Sequence, residues 1–481
     1  MGIRLEQIDD HRWLIPRSGG MLVPGMVFSN RNLIDSLLED QSLAQVANVA
    51  MLPGILEASL AMPDIHWGYG FPIGGVAAFD WDEGIVSPGG VGYDINCGCR
   101  LLATRLSVSE VAPLIKDLII ALYSGIPAGI GSIGAVRLSR ADTADVAVEG
   151  AAWAVRKGFG TPEDLEFTED RGTMDNADPS VLSDRAFKRG INQLGTLGSG
   201  NHFIEVQAVD TVYKADAAEA FGLWEGQVVV LIHTGSRGFG HQICDDFLKK
   251  MKSGAAKGEP GINLPDRQLA CAYLKSDQGR RYLAAMACAA NYAWANRQIL
   301  THRVREILAS TLNLPNRGRA VRLVYDICHN IAKKETHISG GRERVVCVHR
   351  KGATRSLPPG HADLPSRYIK VGQPVLVPGD MGTESYVMAG AAGAARQTFG
   401  SCCHGAGRSL SRTQAVKQAR GRSILAELEA AGVVAQSHGK RTLAEEMPEA
   451  YKNVSQIVSI VHETDLARKV ARLRPLGVVK G

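Results

Sequence analysis

The stretch Ser87-Pro88-Gly89-Gly90-Val91-Gly92-Tyr93-Asp94-Ile95-Asn96-Cys97-Gly98-Cys99-Arg100 sets a carboxylate and a thiol three residues apart in a turn flanked by glycines. Glycine lets the backbone bend tightly and approach a ligand closely, so Asp94 and Cys97 can address one spot. A thiolate is soft enough to hold a transition metal, and a further lone pair lets it bridge two. Two ligands do not close a site. The others must come from elsewhere in the chain.

Three downstream stretches supply histidines at strand ends. Leu194-Gly195-Thr196-Leu197-Gly198-Ser199-Gly200-Asn201-His202 leads into the alternating run that begins Phe203-Ile204-Glu205. The apolar run Val228-Val229-Val230-Leu231-Ile232 ends at His233, followed by Thr234-Gly235-Ser236-Arg237. Val321 to Cys328 reads as a third strand and ends at His329-Asn330. Continuous apolar runs of this length suit buried strands, and loops at strand ends are where sites are built. Asp94, Cys97, His202, His233 and His329 exceed one tetrahedral site but suit two metals if Cys97 bridges. Mixed N, O and S donors favour Mn, Co, Zn or Fe over Mg or Ca.

The segment Ser401-Cys402-Cys403-His404-Gly405-Ala406-Gly407-Arg408, with Ser411-Arg412 behind it, puts a histidine in a small-residue loop beside two arginines. That grouping suits nucleophilic attack on a phosphoryl centre, the imidazole attacking and the guanidiniums offsetting charge. Cys402 and Cys403 are expected to pack as small hydrophobes. The strand Gln373 to Val377 opens a small-residue loop whose N–H groups can cradle phosphates. The loop lacks the Lys-Ser or Lys-Thr pair of a Walker loop, which excludes that reading. Asp64 and His66 offer ligands or general bases, but the plainer expectation is that they hydrogen-bond their loop, around the metal. Penultimate Lys480 would ordinarily be solvated, although the apolar residues before it argue that the terminus tucks inward.

Composition narrows the class. The net charge of +5, from 54 basic and 49 acidic residues, excludes a histone-like polycation but allows a local basic cleft for an anionic substrate. Nine irregularly spaced cysteines argue against a secreted disulfide framework. Residues 1–17 lack the apolar core of a signal peptide, and no apolar run reaches spanning length. A soluble, cytoplasmic protein without membrane partners is expected. Helices are expected over Val111–Tyr123, Asp142–Lys157, Tyr282–Leu308 and Val454–Val461. The fold class is α+β (mixed), read as a single domain over 1–481 with helical insertions at roughly 107–190 and 241–312.

Taken together, the chain resembles the RtcB-type RNA ligases, the GTP-dependent 3′-phosphate RNA ligase family that includes tRNA-splicing ligases. The resemblance rests on Met62-Pro63-Asp64-Ile65-His66, Gly92 to Gly98, Gly198 to Phe203, His233 to Arg237, His329-Asn330, Pro378-Gly379 with Met381-Gly382, His404 to Arg408, and terminal Lys480-Gly481. It implies an RtcB-like fold with central mixed β-sheets, peripheral helices and an active site at strand ends. Asp94, Cys97 and His202 would hold one Mn²⁺ ion, and Cys97, His233 and His329 a second. His404 would be guanylylated by GTP, an RNA-(3′)pp(5′)G end would follow, and 2′,3′-cyclic phosphate or 3′-phosphate RNA would join a 5′-hydroxyl end.

For GTP or GMP the resemblance implies Asn201, His202, Phe203, Ile204 and Glu205, then His329 and Asn330. It adds Pro378, Gly379, Asp380, Met381 and Ser385, and finally His404, Gly405, Ala406, Gly407 and Lys480. Arg189, Arg237, Arg408 and Arg412 are the candidates for RNA phosphates. The implied partners are tRNA halves or broken RNA ends and an archease-like activator. One departure stands out: relatives usually carry serine or threonine where this chain has Asp380, and a carboxylate beside a triphosphate is unfavourable unless it faces a metal or an arginine. Two rivals stay open on the residues alone. One is a dinuclear metallo-phosphodiesterase acting on RNA ends without covalent guanylylation; the other is a non-catalytic RNA-binding module.

Overall fold

The apolar runs that end in histidine become neighbouring strands of one sheet. The computed structural model describes residues 3–129, 131–255, 262–314 and 321–481. Its larger sheet has eight strands, seven of them in the order Arg322–Cys328, Gly98–Ser107, Gln227–Thr234, Phe203–Val212, Ala467–Lys480, Ser385–Gly390 and Pro374–Val377. Val434–Ser437 pairs in parallel with the Ala467–Lys480 strand. A second sheet of seven strands runs Glu6–Gln7, Arg12–Ile15, Gly25–Phe28, Ser59–His66, Ile73–Asp80, Arg342–Lys351 and Asn330–Ser339.

Antiparallel pairing explains why distant ligands meet. Gly98 pairs with both Cys328 and Thr234, and Phe203 pairs with His233. The start of one strand therefore lies beside the end of the next along a single edge. Cys97 precedes its strand, His233 lies near the end of its own, His202 precedes another, and His329 follows Cys328. With neighbouring strands about 4.8 Å apart, these four side chains converge. At His329 the chain also changes sheets, since Cys328 ends a strand of one and Asn330 opens a strand of the other.

The two sheets share an apolar core. Leu60, Met62, Val76 and Val348 belong to the same buried cluster as Leu101, Ile232 and Val479. The longest helix, Asp277–Thr311, is capped at Ser276, is about 52 Å long at 1.5 Å per residue and runs through a second buried cluster, with every residue from Ala285 to Thr301 buried. Tyr282 to Leu308 is thus one continuous helix, with Met286 and Trp294 buried in its packing face.

The expected helix over 142–157 is broken. It forms Arg140–Glu149 and Ala151–Arg156, separated at Gly150, where φ is +61°. A side chain there would also strike the Gly172 carbonyl oxygen. Val111–Tyr123 divides likewise, around a short turn at Ala112–Leu114 that contains Pro113.

Inside the long helix, Arg297 makes a fully buried ion pair. Its Nε lies 2.7 Å from Asp326 Oδ2, the oxygen that also accepts from Arg100 Nε at 2.7 Å. Two cations thus share one carboxylate, whose pKa burial would raise but the two guanidiniums hold below the usual range. Removing that carboxylate strands buried charge. Asp326→Ala is expected to lower unfolding stability by about 3–5 kcal/mol in a denaturant titration. Asp210→Ala, which breaks the solvent-exposed pair with Arg472, should cost about 1 kcal/mol or less.

Candidate metal centre and active site

Two overlapping triads of metal-ligating atoms form where the strand ends meet: Asp94, Cys97 and His202, and Cys97, His233 and His329. Cys97 Sγ lies 3.4 Å from His202 Nε2 and 3.3 Å from His233 Nε2. His233 Nε2 stands 3.2 Å from His329 Nε2, and His202 Nε2 2.8 Å from Asp94 Oδ2. Imidazole nitrogens and a sulfur turned toward one another fit a shared cation better than they fit each other. The donor set of three imidazoles, one thiol and one carboxylate suits borderline transition ions, with Cys97 common to both positions.

Local contacts fix these side chains. His202 Nδ1 lies 3.0 Å from the Leu197 carbonyl oxygen, so a proton there is donated to the carbonyl and Nε2 keeps its lone pair for a cation. Asn96, at φ +54°, shapes the turn between Asp94 and Cys97. Burial holds the His233 and His329 imidazoles well below their ordinary range, leaving both neutral as ligands must be. Burial, with Asp94 beside it, pushes the Cys97 thiol up, so its proton leaves only when a cation takes its place. Burial would also raise Asp94, but His202 and Arg237 outweigh it and hold the carboxyl at about 2.

His404 stands next to this cluster, its ring centroid 4.9 Å from that of His329. Asp64 Oδ2 accepts from His404 Nδ1 at 2.6 Å and from the His404 backbone N–H at 3.0 Å. A carboxylate that holds Nδ1–H leaves Nε2 free to attack, the arrangement of an oriented nucleophilic imidazole. The expectation that the Asp64 side chain closes its own loop is therefore corrected: its partner is His404, 340 residues away. His66 does hydrogen-bond its loop, with Nδ1 3.0 Å from Asp64 O.

One cavity of about 1080 Å³ runs along these groups. Asn201, Phe203, Glu205 and Asn330 line it, as do Pro378, Gly379, Asp380, Met381, Gly405, Ala406, Gly407 and Lys480. Lys480 is only 4% exposed and its ammonium lies 5.3 Å from the centre of the Phe203 ring, so the penultimate residue faces inward. Ile204 instead points into the core, between Ile232 and Val479 in the sheet. Ser385 stands behind the wall, its hydroxyl accepting from Gln207 Nε2 at 2.9 Å and from Gly379 N–H at 3.3 Å.

The four arginines divide. Arg408 and Arg412 line the cavity, Arg408 paired with Glu446 at 3.1 Å. Arg237 is drawn behind the ligands, with Nη1 3.2 Å from His202 Nδ1 and Nε 3.2 Å from Thr196 Oγ1. Arg189 lies half-buried in the last turn of Asp184–Gly190, near Gly238.

Sequence reasoning passed over Arg297 and Lys351. Arg297 Nη1 donates to Asn96 O at 2.7 Å and to Thr234 O at 3.0 Å, tying together the residues that adjoin Cys97 and His233. Lys351 donates to Tyr69 O at 2.6 Å and Phe71 O at 2.8 Å, and burial brings its pKa down to about 7. An arginine and a lysine on the buried faces of a helix and a central strand were the available signal.

Burial raises Glu205 to about 8, helped by Asp380 and opposed by Gln207 and Lys480. From its unfolded value up to about pH 8 the native protein therefore binds more protons than the unfolded chain. Stability must fall as pH rises through that window and level off above it. Glu205→Gln carries no such charge. Thermal melts are expected to show its stability relative to the unsubstituted protein increasing between about pH 5 and about pH 8.5.

A family model described as tRNA-splicing ligase RtcB matches residues 45–481. The tRNA-splicing ligase RtcB of Thermococcus kodakarensis is 52% identical over 480 residues, covering 100% of this chain and 99% of that protein. The RNA-splicing ligase RtcB of Mycobacterium tuberculosis is 54% identical over 440 residues, 91% of this chain and 100% of the relative. The tRNA-splicing ligase RtcB of Aeropyrum pernix is 47% identical over 479 residues, 99% of each. With two triads that could hold metal ions and an oriented histidine already in place, these matches across nearly the whole length make the chain a member of the RtcB family.

Proposed function

We propose that this protein is an RNA ligase that joins 2′,3′-cyclic phosphate or 3′-phosphate RNA ends to 5′-hydroxyl ends, using GTP and two Mn²⁺ ions. The observation that carries the reading is the Asp64–His404 couple set against two ligand triads in one cavity. Asp94, Cys97 and His202 would hold one ion, and Cys97, His233 and His329 the other. Bound divalent ions screen phosphate charge and polarise phosphorus toward attack.

The chain's own groups then have defined tasks. His404 Nε2 attacks the α-phosphorus of GTP, the bond to pyrophosphate breaks, and a histidine-guanylate forms. Asp64 keeps the Nδ1 proton in place and offsets the positive charge that the ring acquires, making it a positioning residue. Water opens a cyclic phosphate to the 3′-phosphate, whose oxygen displaces His404 to give RNA-(3′)pp(5′)G. The 5′-hydroxyl then attacks the RNA phosphorus and GMP leaves. Glu205, Lys480, Phe203 and the 404–407 loop would bind the guanylate, while Arg408 and Arg412, with Arg189 and Arg237, would hold RNA phosphates. We further infer one catalytic unit over 1–481 carrying helical insertions at 107–190 and 241–312. A cytoplasmic setting accords with nine free cysteines, and an archease-like activator belongs to the same reading.

Incubation with GTP labelled at the α-phosphate and Mn²⁺ tests the proposal. Label stable in alkali, labile in acid and absent from His404→Ala is the expected result. Protein that takes no label yet cleaves RNA phosphodiesters would replace the ligase reading with the dinuclear phosphodiesterase. In the same assay Asp64→Ala should slow labelling by on the order of 10²-fold or more, and retained full speed would remove Asp64 from the mechanism.

A further inference from the structure

Trp67 is 58% exposed, an unusual state for the largest side chain, and it lines the same cavity as His404, Asp94, Cys97, His233 and His329. The other aromatic residues on that wall already have partners. Tyr69 and Tyr93 contact each other edge to face at 5.7 Å, Phe203 carries Lys480 over its ring, and Tyr451 packs under Arg408. Among the described residues Trp67 stacks on no ring and meets no cation. Its indole is offered to the cavity with one face unclaimed.

The backbone beneath it is held firmly. Trp67 follows the Ser59–His66 strand, and its N–H donates to Asp40 Oδ2 at 3.3 Å, a carboxylate also bonded to Ser42 N–H through Oδ1 at 3.0 Å. Lys452 Nζ donates to the Ile65 carbonyl, and the Arg408 N–H approaches His66 Nδ1 at 3.4 Å. Asp64, three residues earlier, grips His404. Three residues of extended chain span about 10 Å, so the backbone of Trp67 is held about that far from Asp64, the partner of His404.

We propose that Trp67 is a stacking platform for a nucleobase adjoining one of the two RNA ends. The inference rests on the ligase reading above. Every base has a π-face, and stacking on an exposed aromatic side chain holds single strands without choosing among sequences. Exposed Arg412 lies on the same wall and can meet the connected phosphate.

The test uses two synthetic RNA oligonucleotides, one ending in a 3′-phosphate and the other in a 5′-hydroxyl, each varied at saturating concentration of its partner. Trp67→Ala is expected to raise KM by about 5- to 100-fold for the fragment that stacks, with kcat changed less than about twofold, while Trp67→Phe restores most of the loss. Guanylate label on His404 reports that the centre is intact in each variant. An unchanged KM for both fragments in Trp67→Ala would overturn the proposal, as would equal losses in the alanine and phenylalanine variants. Titration of tryptophan fluorescence with each oligonucleotide judges the platform independently of ligation. If the unsubstituted protein takes no guanylate, the reaction assigned above falls, whereas quenching that disappears in Trp67→Ala would still uphold the stacking site. Quenching that persists in Trp67→Ala would remove it.

Discussion

Arg297 is the fixed point beneath the metal-ligating atoms. Its guanidinium is fully buried and spends its donors on Asn96 O, Asn96 Oδ1, Thr234 O and both oxygens of Asp326. Each acceptor lies close in sequence to a ligand: Asn96 precedes Cys97, Thr234 follows His233, and Asp326 is three residues before His329. A buried cation is costly to desolvate and is tolerated only when its hydrogen bonds are made and its charge is met. That requirement works here as a gauge, because the three strand ends have to lie where a planar fork can reach them all. The ligand geometry is thus imposed from the interior of the protein.

His404 is organised from the other sheet. Asp64 lies in the Ser59–His66 strand, and His404 follows the small ladder in which Ser401–Cys403 pairs with Ala353–Arg355. Gly407 is pressed against Asp64 so closely that a side chain there would strike the Asp64 carbonyl oxygen, and its φ of +71° suits glycine. The cavity consequently has two walls of different origin, the side chains that could hold metal ions from one sheet and His404 from the margin of the second. His329, where the chain passes between the sheets, belongs to both.

How much of this was legible depended on whether a signal was local. Asp94 and Cys97 announce themselves by spacing within one glycine-rich turn, and His202, His233 and His329 by their place at the ends of apolar runs. The mixed α+β class followed from the same runs. The Asp64–His404 couple spans 340 residues, and nothing local distinguishes Asp64 from a carboxylate that merely closes its loop. Arg297 sits in an alanine-rich helix whose pattern reads as ordinary packing, and a charged residue on such a face is expected outside. Gly150 could be read as a helix residue because the close approach to Gly172 that breaks the helix is tertiary. Ile204 and Ser385 followed their neighbours into the implied nucleotide site, yet strand alternation turns Ile204 into the core and the sheet sets Ser385 behind Gly379.

Asp380 stands where the resemblance implies a serine or threonine, and its own turn accounts for it. A carboxylate facing a triphosphate would repel it, but the Asp380 carboxylate is held by its own turn. Its oxygens are engaged elsewhere: Oδ1 accepts from Gly382 N–H at 2.8 Å and Oδ2 from the Thr383 hydroxyl at 2.8 Å, while that hydroxyl accepts from Asp380 N–H at 3.1 Å. Burial raises the carboxyl above its usual range despite those bonds and despite Lys480, which weakens the charge it can present. The side chain therefore serves the turn that carries Pro378 to Met381 into the cavity, as a serine or threonine at a turn would. Its electrostatic consequence falls on Glu205, whose proton Asp380 helps to retain, while the Lys480 ammonium is drawn by Glu446, Glu205 and Asp380 together.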